Sequence, residues 1–462
     1  MNIRHLCSRS EDKNLEILLG EPKAAIRSMV LPFLVAMAVI EINQFVDTFW
    51  ISGLGTSSAE AVATAVPIYG LMTCAGLGIG TGATTAIAFR LGRGETDKAR
   101  ILASNSIILG LICAIISSVV TALLLDPALS FMGADSVRAE STQYIIPYIL
   151  MSPAITLNAV IGGMLRGEGA ARKSTAIQLS SAVLNMVIDP VLIYICGMGV
   201  FGAGLSTTVS ALIAVCIALS WYVRGKTAVG MGRSTFRYDP AMSREIMGVG
   251  GPKTVQSLIS NMTDLLQRVF LIIAGGTTAV MLYNYPWRYI SLVNLPGRAF
   301  ESAMVPVCSA AMGQGDMFKM KEGFVYTLKL ALVISVLLSL MVYIFAEPLM
   351  SVMTYEESMS QILPYFVWTM QVSVLLIPFA ALMGVGSSML QAMKKAKIPM
   401  YFYFLWGFIK LGLYALSAYG LLGVDPFEGI IYCMVIVHIF GGVALMAMAW
   451  NEFSKLRKGV QA

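Results

Sequence analysis

EINQFVDTFW, residues 41–50, ends a long apolar run, and its reading decides the fold. An otherwise oily stretch carries Glu41, Asn43, Gln44 and Asp47. A second stretch, LNMVIDPVLI at 184–193, repeats the pattern with Asn185 and Asp189. In both, Asn and Asp stand four apart and therefore share one helix face. A carboxylate at the centre of a membrane span costs roughly 2.5–3.5 kcal/mol on insertion scales, so such residues face a cavity or a partner. Both stretches read as membrane spans whose polar face serves something other than spanning.

Composition supports a membrane setting. Hydrophobic residues make up 57% of the chain and charged ones 13%. Soluble domains carry charge at about 25% of positions. Mean hydropathy is +0.75. The net charge of +6 needs no nucleic-acid partner, because membrane proteins gather Lys and Arg in cytoplasmic loops. The seven cysteines, Cys7 among them, are scattered singly and read as small apolar residues. Two histidines, His5 and His438, are too few for a histidine metal site. No HExxH or GxSxG motif appears, so no enzyme and no resident cofactor is expected.

Stretches of about 20 apolar residues suffice to cross a bilayer. Twelve can be drawn: 24–51, 59–89, 99–125, 139–165, 173–197, 202–224, 243–274, 279–312, 320–346, 360–391, 398–421 and 427–451. The loops test the count. Basic residues crowd the second loop (Arg90, Arg93, Lys98, Arg100), the fourth (Arg166, Arg172, Lys173), the sixth, the eighth (Lys319, Lys321) and the tenth (Lys394, Lys395, Lys397). Odd-numbered loops hold none, apart from Arg138 in the third. This alternation predicts a multi-pass protein of the plasma membrane with both termini in the cytoplasm.

The halves repeat. GRGETDKA at 92–99 aligns with GQGDMFKM at 313–320, an offset of 221, and the same offset lays GT at 55–56 on GT at 276–277. MLRGEGAARKS at 164–174 aligns with MLQAMKKAKIP at 389–399, an offset of 225. The predicted architecture is all-α: twelve transmembrane helices in two pseudo-symmetric six-helix lobes, related by an axis along the membrane normal. The divisions are a cytoplasmic N-terminal segment (1–23), an N-lobe (24–224), a cytoplasmic linker (225–242), a C-lobe (243–451) and a cytoplasmic tail (452–462).

Asp47 and Asp189 both lie near the outer ends of spans that run outward. Two carboxylates with amide oxygens form a hard oxygen site suited to protons or a small cation such as Na+. Two close carboxylates cannot both ionise cheaply, so such a pair can load and release a proton. The plainer reading is that each Asp caps a helix end or snorkels to the interface. Under the repeat, Asp264 and Arg268 replace Asn43 and Asp47, while Lys410 and Tyr414 replace Asn185 and Asp189. The second lobe therefore lacks the carboxylate pair. Its charges (Asp264, Arg268, Arg298, Glu301 and Lys410) read first as a neutralising network, with Asp264 and Glu301 as cavity-lining candidates.

At this point the chain resembles a known family. FVDTFWISGLGTSSAEAVATAVPIYG (45–70), GLGIGTGATTAIAFRLGRGETDKA (76–99) and LRGEGAARKSTAIQLSSAVLNMVIDPVLIYICGMGVFGAGLSTTVS (165–210) are similar to multidrug and toxic compound extrusion (MATE) transporters. The resemblance runs from about Pro22 to Trp450. It implies two lobes around a cavity that opens alternately to each side, and export of organic cations driven by H+ or Na+. The DinF-like branch of that family implies a first-lobe ion site at Asp47, Asn185, Asp189 and Thr207. It also implies that Tyr144 lines the lobe and that span 1 bends at Pro32. Asn43 departs from the pattern, since branch members often carry Tyr there.

The expected function is secondary active antiport of cationic, amphipathic compounds by a monomer in contact with membrane lipid. The alternative is a lipid or lipid-linked precursor flippase of the same wider fold, which Arg268, Arg298 and Lys410 keep open. A membrane-embedded enzyme would need a nucleophile with its base, and His438 stands alone.

Overall fold

The computed structural model describes residues 13–132, 134–232, 236–352 and 361–461. His5, Cys7 and residues 1–12 of the predicted N-terminal segment lie outside them, as do residues 233–235 of the linker. Every regular element among the described residues is helical.

Span 1 is Pro22–Ser52, span 2 Thr56–Gly92 and span 3 Thr96–Phe131. Span 4 comprises Arg138–Leu150 and Ser152–Gly167, span 5 is Ala171–Pro190 with the turn Val191–Ile195, and span 6 is Gly199–Val223. Spans 7 and 8 share the run Pro240–Gln314, and span 9 is Met317–Ile344. Span 10 comprises Leu363–Val374 and Ile377–Ala392, span 11 is Lys397–Ala418 and span 12 is Pro426–Gln461. Among the described residues nine helices are long and apolar enough to cross a membrane, ten with the bent pair of span 4. Parting Pro240–Gln314 at its break and adding span 11 gives the twelve expected.

Three departures from straight helices have local causes. Span 4 bends by 57° between its two pieces. Pro153 cannot donate to the carbonyl of Ile149, and the Ser118 hydroxyl donates to that carbonyl instead, at 2.5 Å. In span 5 Pro190 likewise breaks the ladder. A π-helical turn, Val191–Ile195, follows it, closed by the Cys196 N–H donating to the Val191 carbonyl at 2.8 Å. Such turns concentrate at functional positions. Spans 7 and 8 part at Gly275–Gly276, where Gly276 has φ +66°, a conformation that a side chain resists.

The chain divides into two compact units: the residues up to Leu258 with Val305–Met320, and Ile259–Met304 with the residues from Lys321 on. The outer portions of the Pro240–Gln314 run thus pack with the first unit. The reason lies in GLGIGTG, 76–82. Gly78 and Gly82 bring span 2 to backbone contact with Ile246, Gly250 and Thr254, and Gly80 on the other face meets Ala159 and Gly163. Without a hydrophobic drive between helices in lipid, close van der Waals approach through small residues is what holds spans together. A buried apolar cluster of the same unit gathers Ile87, Leu102, Val160, Met164 and Tyr222. The second unit has its own core around Phe366, Met370, Tyr414 and Ile430.

The loop Glu168–Ala170 anchors the start of the linker. Glu168 is 1% exposed. It accepts from the Tyr222 hydroxyl at 2.7 Å and from the Val229 N–H at 3.3 Å. Lys173 donates to the Lys226 carbonyl beside it. Burial pushes the Glu168 carboxyl up to about 7. A folded-state value raised above the unfolded one means that the folded chain binds the extra proton. The stability this group contributes is present in full below the unfolded carboxylate range and is lost as pH rises through about 7. Glu168→Gln should remove this dependence. The thermal midpoint of the wild type should fall relative to the variant as pH rises through that window, and parallel midpoint curves would refute the assignment.

Span 12 continues as helix through the tail to Gln461. Lys395 and Lys455 hold this extension at Glu452, at 2.5 and 2.6 Å. The two ammonium groups, Lys395 foremost, keep its carboxyl down at about 2.

Candidate functional site

Spans 1 and 5 bring their Asn/Asp faces together. Asn43 Nδ2 donates to Asp47 Oδ2 at 3.2 Å on its own helix and to Asn185 Oδ1 at 2.8 Å across the gap. Asn185 Nδ2 donates to Asp189 Oδ1 at 3.1 Å and to Ser206 Oγ at 2.9 Å, and approaches Thr207 Oγ1 at 3.4 Å. Ser206 donates to Asp189 Oδ1 and to the Ala203 carbonyl. Asn43 and Asn185 thus link Asp47 on span 1 to Asp189 on span 5. Asn185 and Asp189 are each 2% exposed, so water does not screen them.

Tyrosines cover the cluster. The Tyr144 and Tyr148 hydroxyls share a hydrogen bond at 2.9 Å, and the Tyr69 and Tyr148 rings lie 4.5 Å apart. Tyr148 also reaches Thr207. All of these residues belong to the first unit.

Two acceptor atoms here, Asn43 Oδ1 and Asp47 Oδ1, are buried without a hydrogen-bond partner. Buried polar atoms rarely stay unpaired, because each costs about 1–3 kcal/mol. A pair of undonated oxygens beside the two linked carboxyls fits a proton or a small hard cation as the missing partner. Asn43 is the bridge. Asn43→Ala should therefore uncouple spans 1 and 5 and lower the thermal midpoint by the equivalent of about 1–3 kcal/mol. An unchanged midpoint would show that the bridge adds nothing to stability.

All five ion-site candidates, Asn43, Asp47, Asn185, Asp189 and Thr207, are thus gathered. Ser206, Tyr148 and Tyr69 are members that the sequence reading missed. Tyr148 stands four residues after Tyr144 in YIIPY, on the same face, and Ser206 adjoins Thr207, so both carried a signal. Glu41 is half-buried and Gln44 exposed. Among the described residues neither bonds to the cluster. Pro32 lies within the continuous helix Pro22–Ser52, where it removes the helical donor for the Ser28 carbonyl.

In the second unit Lys410 donates to Asp264 at 3.4 Å. The repeat places these two residues on Asn185 and Asn43, which touch in the first unit. The same pair of helix positions is therefore in contact in both halves, with opposite chemistry. Asp264 lines a cavity of about 250 Å³ with Tyr283, Trp287, Trp406, Lys410 and His438. Glu301 is not among its lining residues; its carboxylate occupies the space a side chain would need at Gly384. Arg268 and Arg298 are exposed.

Among the described residues, twelve helical spans in two related sets, with a buried polar cluster inside one of them, define a polytopic membrane transporter. The chain belongs to the multidrug and toxic compound extrusion family: the MatE family model matches residues 32–191 and 252–415, one segment in each half. A Shewanella oneidensis protein described as a FAD transporter is 24% identical over 74% of this chain and 76% of its own length. The multidrug export protein MepA of Staphylococcus saprophyticus is 25% identical over 74% of each chain. The fold matches a crystal structure of MATE in complex with MaL6, with a TM-score of 0.90 and 24% identity over 96% of this chain and 99% of that one. Members of the family are membrane transporters, and this chain has that role at the family level.

Proposed function

We propose that this chain is a secondary active antiporter of the cell membrane that exports cationic and amphipathic organic compounds in exchange for H+ or Na+. Asp47, Asn43, Asn185, Asp189 and Thr207 take up the ion. The reading rests on one observation above others: carboxyls from two different spans belong to one buried cluster, linked through Asn43 and Asn185, with the Asn43 and Asp47 oxygens beside them undonated. Two carboxylates in one buried cluster repel each other unless a proton or cation lies between them. The ion therefore favours the arrangement in which spans 1 and 5 stay together, and its departure favours another.

Coupling follows if the organic compound prefers the state that the ion does not. The π turn after Pro190 and the bend at Pro153 supply places where spans 5 and 4 can yield. In this scheme lobes 24–224 and 243–451 are the moving parts, the linker 225–242 joins them on the cytoplasmic side, both termini lie in the cytoplasm and one monomer suffices. Asn43 adds an amide oxygen to the ion's ligands.

The test is efflux of a fluorescent organic cation from proteoliposomes holding the full chain, under an imposed pH gradient or an imposed Na+ gradient. Efflux that follows one gradient identifies the ion. Efflux indifferent to both would sink the antiport reading.

A further inference from the structure

The cavity of the second unit has a chemistry unlike that of the ion cluster. At about 250 Å³ it falls below the roughly 300–1,000 Å³ of drug-sized pockets. It suits one ring system, either alone or as part of a longer molecule. Its walls are aromatic and held in place. Tyr283 and Trp287 stack on each other at 5.1 Å. Trp406 stacks on Phe402 at 5.1 Å, and its Nε1 donates to the Val437 carbonyl at 3.1 Å. With its polar atom engaged, Trp406 offers the cavity ring surface alone.

Both charges of the Lys410–Asp264 pair line the cavity, and the more enclosed one is positive. Lys410 is 14% exposed, whereas its partner Asp264 is 69% exposed and largely solvated. Their 3.4 Å separation is long beside the roughly 2.7–2.9 Å of a strong charge-assisted bond. An ammonium has three donors. One long bond to Asp264, with the Tyr414 ring at 5.6 Å, leaves that capacity largely unused. His438 also lines the cavity and donates from Nδ1 to the Met434 carbonyl at 2.7 Å.

We infer that this cavity is a binding site for planar aromatic organic anions, whose ring lies against Trp287, Tyr283 and Trp406 and whose acidic group takes the Lys410 ammonium from Asp264. The internal repeat gives the inference its logic. Lys410 and Asp264 occupy the helix positions of Asn185 and Asn43, so one fold builds two equivalent polar sites. One collects acceptor oxygens for a proton or cation, and the other presents a donor for an acid. The physiological meaning rests on the transport reading, since a bound aromatic acid would be a second class of cargo beside the organic cations.

The test is equilibrium binding to the full chain in lipid nanodiscs, with naphthoate, naphthylmethylammonium and decanoate as probes. Naphthoate should bind about tenfold or more tighter than either of the others, the scale of a charged hydrogen bond. Lys410→Met should abolish that preference, Trp406→Leu should weaken naphthoate, and Asp264→Asn should strengthen it by releasing Lys410. If Lys410→Met leaves Asp264 unpaired and fails to fold, Lys410→Met with Asp264→Asn replaces it. Equal binding of naphthoate and naphthylmethylammonium overturns the inference. So does decanoate binding as well as naphthoate, which would mean an acid site without ring selection, or naphthoate affinity unchanged in the Lys410 variants. Binding is measured without an ion gradient, so it can fail while gradient-driven export stands, and the reverse.

Discussion

Proteoliposomes carrying Asp47→Asn should lose gradient-driven efflux of an organic cation, falling by about tenfold or more toward passive leak. That scale matches coupling free energies between sites of about 1–3 kcal/mol. Asparagine keeps the size of aspartate and can still accept from Asn43 Nδ2, which now bonds to Asp47 Oδ2 at 3.2 Å. It cannot take up a proton or offer a charge to Na+. The other carboxyl oxygen of Asp47 has no donor to lose, so the fold should survive and the elution profile should match wild type. Asp189→Asn should abolish the same drive at a further cost in stability. Asp189 Oδ1 accepts from both Asn185 and Ser206, and an amide group cannot present acceptors in every orientation. Glu41→Gln removes a carboxylate from the same helix but from outside the cluster, and export should remain driven. Wild-type export by both Asp variants would end the coupling-site assignment and return Asp47 to a helix-end role.

Adding one methyl group at two different glycines should have opposite effects on stability. At Gly163 a Cβ would enter the backbone of Gly80 on span 2, meeting its carbonyl oxygen, carbonyl carbon and Cα together. Backbone cannot swing aside as a flexible side chain can, so spans 2 and 4 must separate. Overpacking of this kind costs about 1–3 kcal/mol, and Gly163→Ala should lower the thermal midpoint and the yield of folded protein. At Gly412 on span 11 a Cβ meets nothing within 4 Å. There alanine removes backbone freedom at no steric cost, and Gly412→Ala should be neutral or stabilising by up to about 1 kcal/mol. Thermal unfolding of both variants in one detergent gives the comparison. A Gly163→Ala chain as stable as wild type would show that the spans are not locked at this seam.

Much of the architecture was legible before any contact was known, and particular residues show why. Transfer of apolar side chains into lipid is a property of each residue summed over a window, so hydropathy located the spans, and Lys and Arg alternation tested their number. The repeat was visible because both halves keep the same loop chemistry. Asn43 with Asp47 and Asn185 with Asp189 stood out because a helix brings residues four apart onto one face.

Contacts between helices follow different physics. The positions of Ser206 beside Thr207 and of Tyr148 one turn after Tyr144 hint at a shared face, but which residues of other spans they meet depends on how spans 4, 5 and 6 cross. Those crossings are set by atoms that composition hardly registers: the missing side chains at Gly78, Gly80, Gly82 and Gly163, and the missing N–H at Pro153 and Pro190. The same holds for the second unit. Lys410 could have paired with any of several carboxylates in the sequence. Only the packed helices put it 3.4 Å from Asp264 and against an aromatic wall, because pairing depends on distance in space while hydropathy depends on residue type alone.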